Sequence, residues 1–132
     1  MSPARTLNKI MLVEDEPDIQ AIARLSLESV GGFQLLVCGS GEEALSKIAS
    51  YLPDMILLDV MMPGMDGLET LGHIRDMPDQ QDTPVVFMTA KAQPQEVRQY
   101  MDIGAADVIT KPFDPMLLPT TINGIWQKQQ DL

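Results

Sequence analysis

Five polar side chains close the apolar runs of this 132-residue chain: Glu14 and Asp15 after Lys-Ile-Met-Leu-Val, Asp59 after Met-Ile-Leu-Leu, Thr89 after Val-Val-Phe-Met, and Lys111 shortly after Val108-Ile109. If those ends meet, three carboxylates face one another, and without a cation at least one of them must hold its proton more tightly. A hard divalent ion relieves that repulsion. Oxygen-only ligation favours Mg²⁺, with Mn²⁺ as the alternative, bound by Glu14, Asp15 and Asp59. An ion beside a free carboxylate and an ammonium suits the receipt of a phosphoryl group. Asp59 is then the in-line nucleophile. Lys111 offsets charge on the equatorial oxygens, and the Thr89 hydroxyl holds one of them. No glycine-rich phosphate cradle accompanies these residues, so the chain itself is not expected to bind a nucleotide. Each residue also has a plain structural use: Asp15 as a helix cap, Asp59 in a turn, Thr89 bonded to its own loop, Lys111 solvated. The chemical reading needs all of them on one rim.

The intervening sequence predicts the elements that would put them there. Four consecutive apolar residues, Met55, Ile56, Leu57 and Leu58, read as a strand buried on both faces. Residues 9–13, 33–38, 85–88 and 108–109 give four more strands. Pro17 suits a first helical turn, and Ile19, Ile22, Ala23, Leu27 and Val30 fall on one face, so helix 1 is expected over residues 17–30 and ends at Gly31-Gly32. Ser40 with Glu43 has capping-box spacing, and Ala44, Leu45, Ile48, Ala49 and Leu52 form the stripe of helix 2. Asp66 caps helix 3, with Leu68, Leu71 and Ile74 inward. Pro94 opens helix 4, with Val97, Tyr100 and Met101 inward and Gly104 at its end. Pro119 lies inside the last predicted helix, where it would cost a hydrogen bond, so the regular part is expected to begin there with Ile122, Ile125 and Trp126 packing. Five strands alternating with five helices predict an α/β fold. It is a doubly wound, flavodoxin-like parallel sheet of order 2-1-3-4-5 with helices on both faces, which puts strands 1 and 3 at the switch point.

Composition sets the outer bounds. The chain is 45% hydrophobic and 21% charged, which is globular, and its length fits one domain with its core over about 8–129. Nineteen acidic against nine basic residues leave a net charge of −10, which argues against direct nucleic-acid or anionic-membrane partners. Cys38 is single and lies in an apolar run, so it reads as a core thiol. With no signal-like or membrane-spanning stretch, a soluble cytoplasmic protein is expected.

The set Glu14-Asp15, Asp59 with Met-Pro-Gly-Met-Asp-Gly following Met61, Thr89-Ala90 and Lys111-Pro112-Phe113 resembles the receiver domain of bacterial two-component response regulators, over residues 8–129. The resemblance implies that Asp59 accepts phosphate from a phosphohistidine on a sensor histidine kinase or a histidine phosphotransfer protein, and that a downstream protein target reads the change. It implies direct Mg²⁺ ligation by Asp15 and Asp59, Glu14 acting through water, and the Met61 backbone carbonyl as a further ligand. Met61 and Lys91 would tune hydrolysis of the acyl phosphate, and the state would be monomeric or weakly dimeric. One departure stands out. The family's chemotaxis-type switch pairs the threonine with an aromatic residue three positions before the lysine, and here that switch position beside Thr89 is Val108.

The expected function is a phosphorylation-dependent signalling switch and not an enzyme, beyond assisting its own phosphotransfer and dephosphorylation. Alternatives within the same class are an intermediate carrier in a phosphorelay or the receiver fragment of a larger regulator. An aspartyl-phosphate phosphatase would want a second acid two residues after the nucleophile, where Met61 stands. A phosphorylation-independent binding module would not need Asp59 at all. His73, on helix 3, reads as a solvated side chain, and Met61, Met62 and Met65 could form an adaptable docking surface.

Overall fold

The computed structural model describes residues 5–131. Its five strands are β1 (Lys9–Val13), β2 (Gln34–Cys38), β3 (Met55–Asp59), β4 (Val85–Thr89) and β5 (Asp107–Thr110). All pair in parallel in the order β2-β1-β3-β4-β5, the expected order and one already known for chemotaxis receivers. The helices are α1 (Pro17–Arg24), α2 (Gly41–Tyr51), α3 (Gly67–Arg75), α4 (Pro94–Asp102) and α5 (Leu118–Gln130).

Period-two alternation divides the apolar side chains between the two faces of the sheet. Ile10, Leu12, Met55, Leu57, Val86 and Met88 meet α1 and α5 through Ala23, Leu27, Leu118, Ile122 and Trp126. Met11, Val13, Ile56, Leu58, Val85 and Phe87 meet α2, α3 and α4 through Ala44, Ile48, Leu71, Ile74 and Tyr100. The central strand β3 is buried at all five positions, whereas edge strands β2 and β5 keep exposed residues. That difference explains the unbroken apolar run before Asp59.

Three helices depart from their predicted faces. Helix 1 does not keep a 3.6 period, because residues Leu25–Val30 continue α1 as a π-helix. Ser26 and Leu27 are buried within that segment and Val30 is exposed, and Ile22, in α1 before it, is exposed as well, so the periodic reading fails at Ile22 and Val30. Ser26 uses its position to donate a hydrogen bond to the Pro115 carbonyl. In α2, Ala44 and Ile48 are buried, but Ala49 and Leu52 face solvent, since the helix stops at Tyr51 and Leu52 turns left-handed at φ 55°. Ser40 caps α2 as expected, while Glu43 reaches back one residue further, to the Gly39 amide. In α4 only Tyr100 is fully buried, and Met101 points outward. The last helix starts at Leu118, one residue before Pro119, whose missing donor falls in the first turn where it costs nothing.

The π segment separates two otherwise similar apolar positions. Leu27→Ala should lower unfolding free energy by about 2–4 kcal/mol through cavity formation, whereas Val30→Ser should change it by less than about 0.5 kcal/mol. Urea denaturation of both variants checks the assignment, and equal losses would contradict it.

Candidate phosphoacceptor site

Register brings the polar ends together. Val13 stands opposite Leu58, so Glu14 and Asp59, one residue further along each strand, are neighbours. Asp59 pairs with Met88, which sets Thr89 just beyond it, and Thr89 pairs with Thr110, which sets Lys111 beyond that. Glu14, Asp59 and Thr89 are buried to 0%, 3% and 1% exposure, while Asp15 and Lys111 sit at the partly open mouth.

Lys111 holds the acids together. Its Nζ lies 2.8 Å from Glu14 Oε2 and 3.2 Å from Asp59 Oδ1. Burial pushes the Glu14 carboxyl up to about 7, with the nearby Asp59 charge adding to that and the Lys111 hydrogen bond opposing it. For Lys111, burial favours the neutral amine, but the hydrogen bond to Glu14 and the charges of Glu14 and Asp59 outweigh it, so its pKa is raised. The two shifts share one contact, the Lys111–Glu14 hydrogen bond, which lowers the acid and raises the amine, while burial opposes the charged form of each.

The acids are spaced to hold a cation. One carboxylate oxygen from each of Glu14, Asp15 and Asp59 can be chosen so that all lie within 4.8 Å of one another. Glu14 Oε1 and Asp15 Oδ1 are buried without a hydrogen-bond partner. Orphaned anionic oxygens are costly unless something positive meets them, and an all-oxygen set fits a hard divalent ion. Asp15 does not cap α1, whose N-cap is Glu16 with no side-chain bond, so its structural alternative falls away.

The supporting residues are local. The Met61 amide donates to Asp59 Oδ1 at 3.2 Å, while the Met61 side chain is 62% exposed at the lip of the site. Asp66 Oδ1 accepts from the Glu69 amide at 2.9 Å and starts α3 directly after the loop. Gly67 donates its amide to the Val60 carbonyl at 3.0 Å, and a methyl group there would run into the Asp59 carbonyl. This close approach of α3 to the acid had a signal in the sequence, the Asp66-Gly67 pair, but a turn alone did not reveal the contact. The Lys91 amide donates to Thr89 Oγ1 at 2.9 Å, so Thr89 does bond its own loop and yet keeps its proton free to donate. Val108 lies apart from the acids, half-buried opposite Phe87. His73 is exposed on α3, away from the rim.

Fold and rim together define a flavodoxin-like α/β domain with an acidic crevice at its switch point, able to hold a cation. The chain belongs to the response regulator receiver domain family, whose model matches residues 10–123. It is 36% identical over 109 residues to an uncharacterized 14.6 kDa protein from the sodA1 3′ region of Leptolyngbya boryana, covering 83% of this chain and 82% of that one. It is 33% identical to the alkaline phosphatase synthesis transcriptional regulatory protein PhoP of Bacillus subtilis, covering 92% of this chain but only 50% of the regulator. The chemotaxis response regulator CheY4 of Vibrio cholerae superposes with a TM-score of 0.84 at 28% identity, over 91% of this chain and 99% of CheY4. Among the described residues no helix is long and apolar enough to cross a membrane.

The raised Glu14 carboxyl has a sign that can be measured. The unfolded chain ionises this group near 4.5 and the fold only near 7, so metal-free protein loses stability as pH rises between those values. The loss should be on the order of 1–3 kcal/mol and absent in Glu14→Gln. Urea titrations in chelator across that window test it, and a wild-type curve parallel to the variant's would contradict it.

Proposed function

We propose that the chain is a receiver whose Asp59 takes a phosphoryl group from a phosphohistidine on a partner kinase or phosphotransfer protein, and that the acyl phosphate changes affinity for a downstream protein. The carrying observation is the Lys111 ammonium lying between Glu14 and Asp59 beside two orphaned carboxylate oxygens. An Asp59 oxygen attacks phosphorus in line, the P–N bond breaks, and the imidazole departs with the bonding pair and takes up a proton. Lys111 is placed to follow the new charge on the phosphoryl oxygens, and the Thr89 hydroxyl proton to meet one of them. Glu14, Asp15 and Asp59, with the Met61 carbonyl, would hold Mg²⁺ or Mn²⁺, which supplies charge neutralisation at the transferring group. Met61 and Lys91 flank the phosphoryl position and are assigned to tuning its hydrolysis. Catalysis is confined to the chain's own acyl phosphate, and the setting is the cytoplasm of a two-component system.

A partner surface adjoins the site. Ile19, Ile22, Ala90, Lys111, Pro112 and Phe113 line an apolar hollow of about 240 Å³. Ile22, on α1, remains 45% exposed there. An apolar hollow that ends at Lys111 is suited to the protein that carries the phosphohistidine.

A second reading is supported by the transcriptional regulators among the relatives: the same receiver would govern an attached output domain, since this chain spans 50% of PhoP. Both readings rest on a single receiver unit over about 8–129 and share the chemistry at Asp59.

With Mg²⁺ and acetyl phosphate the protein should gain about 80 Da, as expected for one phosphoryl group. Asp59→Asn should gain nothing. Intact-mass spectrometry decides, and an unmodified wild type overturns the proposal. Ile22→Glu should slow transfer from a phosphohistidine protein by roughly tenfold or more, as expected for loss of a buried apolar contact of about 1.4 kcal/mol, with acetyl phosphate uptake unchanged. A parallel fall in both rates would assign Ile22 to the fold instead of the partner surface.

A further inference from the structure

Thr89 is joined to α4 by a closed chain of contacts that the phosphoacceptor chemistry does not use. The Lys91 amide donates to Thr89 Oγ1 at 2.9 Å, and the Tyr100 hydroxyl donates to the Lys91 carbonyl at 3.4 Å. The Tyr100 ring packs edge-on against Phe87, with centroids 5.3 Å apart and planes at 69°. Phe87 sits two residues before Thr89 on β4, so strand, loop and helix form a ring that closes through Tyr100. Tyr100 is 5% exposed, and among the described residues its hydroxyl has the Lys91 carbonyl as its partner. Ordinary O–H···O bonds span about 2.5–3.0 Å, so this one is barely made and a small shift of the loop decides whether it persists. On the neighbouring strand the residue opposite Phe87 is Val108, which packs against the same apolar cluster as Phe87 and Tyr100.

We propose that Tyr100 is a positioning residue that reports the state of Asp59 to α4, through the Lys91 carbonyl. The inference rests on the phosphoacceptor reading of Asp59. When the Thr89 hydroxyl donates to a phosphoryl oxygen, the 89–91 turn is drawn toward Asp59, because the Lys91 amide stays bonded to the same oxygen. The Tyr100 ring is held by Phe87 and cannot follow the Lys91 carbonyl. Its hydroxyl bond opens, and the second turn of α4 loses its tie to the loop. The sequence pattern alone made Tyr100 one of three inward residues of helix 4, with nothing to distinguish it from packing.

The chain has two tyrosines, Tyr51 and Tyr100, so 3-fluorotyrosine labelling gives two fluorine resonances, assignable with Tyr51→Phe. With Mg²⁺ and acetyl phosphate, the Tyr100 resonance should move as Asp59 is modified, and the Tyr51 resonance should stay. Phosphorylation should also speed amide exchange over residues 94–102 in the wild type. In Tyr100→Phe exchange should already be fast before phosphorylation and change little after it, while phosphoryl uptake stays within about twofold, since the substitution conserves packing volume. A Tyr100 resonance that stays in place despite full mass gain overturns the inference and leaves Asp59 as the acceptor. So does a Phe variant whose exchange responds like the wild type. No mass gain at all removes the phosphoacceptor reading first, and this inference with it.

Discussion

One ammonium shared by crowded carboxylates is the constraint on which this site depends. Lys111 reaches Glu14 and Asp59 from the far edge of the sheet, where β3 and β4 separate β5 from β1. It is insufficient by itself: Glu14 is driven toward its neutral form by burial, and oxygens on Glu14 and Asp15 have no partner. Removing a buried charge partner costs far more than such a pair contributes net, so the rim depends on the positive charge of Lys111. The same deficit is what makes the acid cluster fit a cation.

The sheet produces that crowding at little cost. Its interior is apolar on both faces, so each central strand can place a charged residue only at its end. Parallel register then puts all those ends on one side. Gly67 completes the arrangement by letting α3 begin against the backbone of Asp59, with Asp66 capping the helix at that point. The loop carrying Met61 is thereby held between a strand end and a helix start, and its amide can hold the Asp59 carboxylate.

Around this fixed centre lie two softer regions. On one side Ile22 of α1 stands uncovered beside Lys111, and the π-helical turn that follows ties Ser26 to the connection before α5. On the other side the long hydrogen bond from Tyr100 links α4 to the loop after Thr89. Neither region contributes an atom to the acid cluster.

Much of this was legible in the residues themselves. Apolar runs ending in acids marked the strands, Ser40 and Asp66 marked helix starts, and the alternation of elements set a parallel sheet of known order. The five rim residues were also readable, because strand ends in such a sheet have only one place to meet. Helix faces were read less well. A 3.6-residue period cannot foresee a π turn, and it places Ile22 and Val30 inward where both are exposed. Local sequence therefore determined which elements form and which chemistry they carry, since both depend on neighbours along the chain. Tertiary structure alone decided that Lys111 bridges two acids, that Gly67 must lack a side chain and that Tyr100 reaches Lys91. Those contacts join residues distant in sequence or facing one another across a loop, and only packing sets their distances.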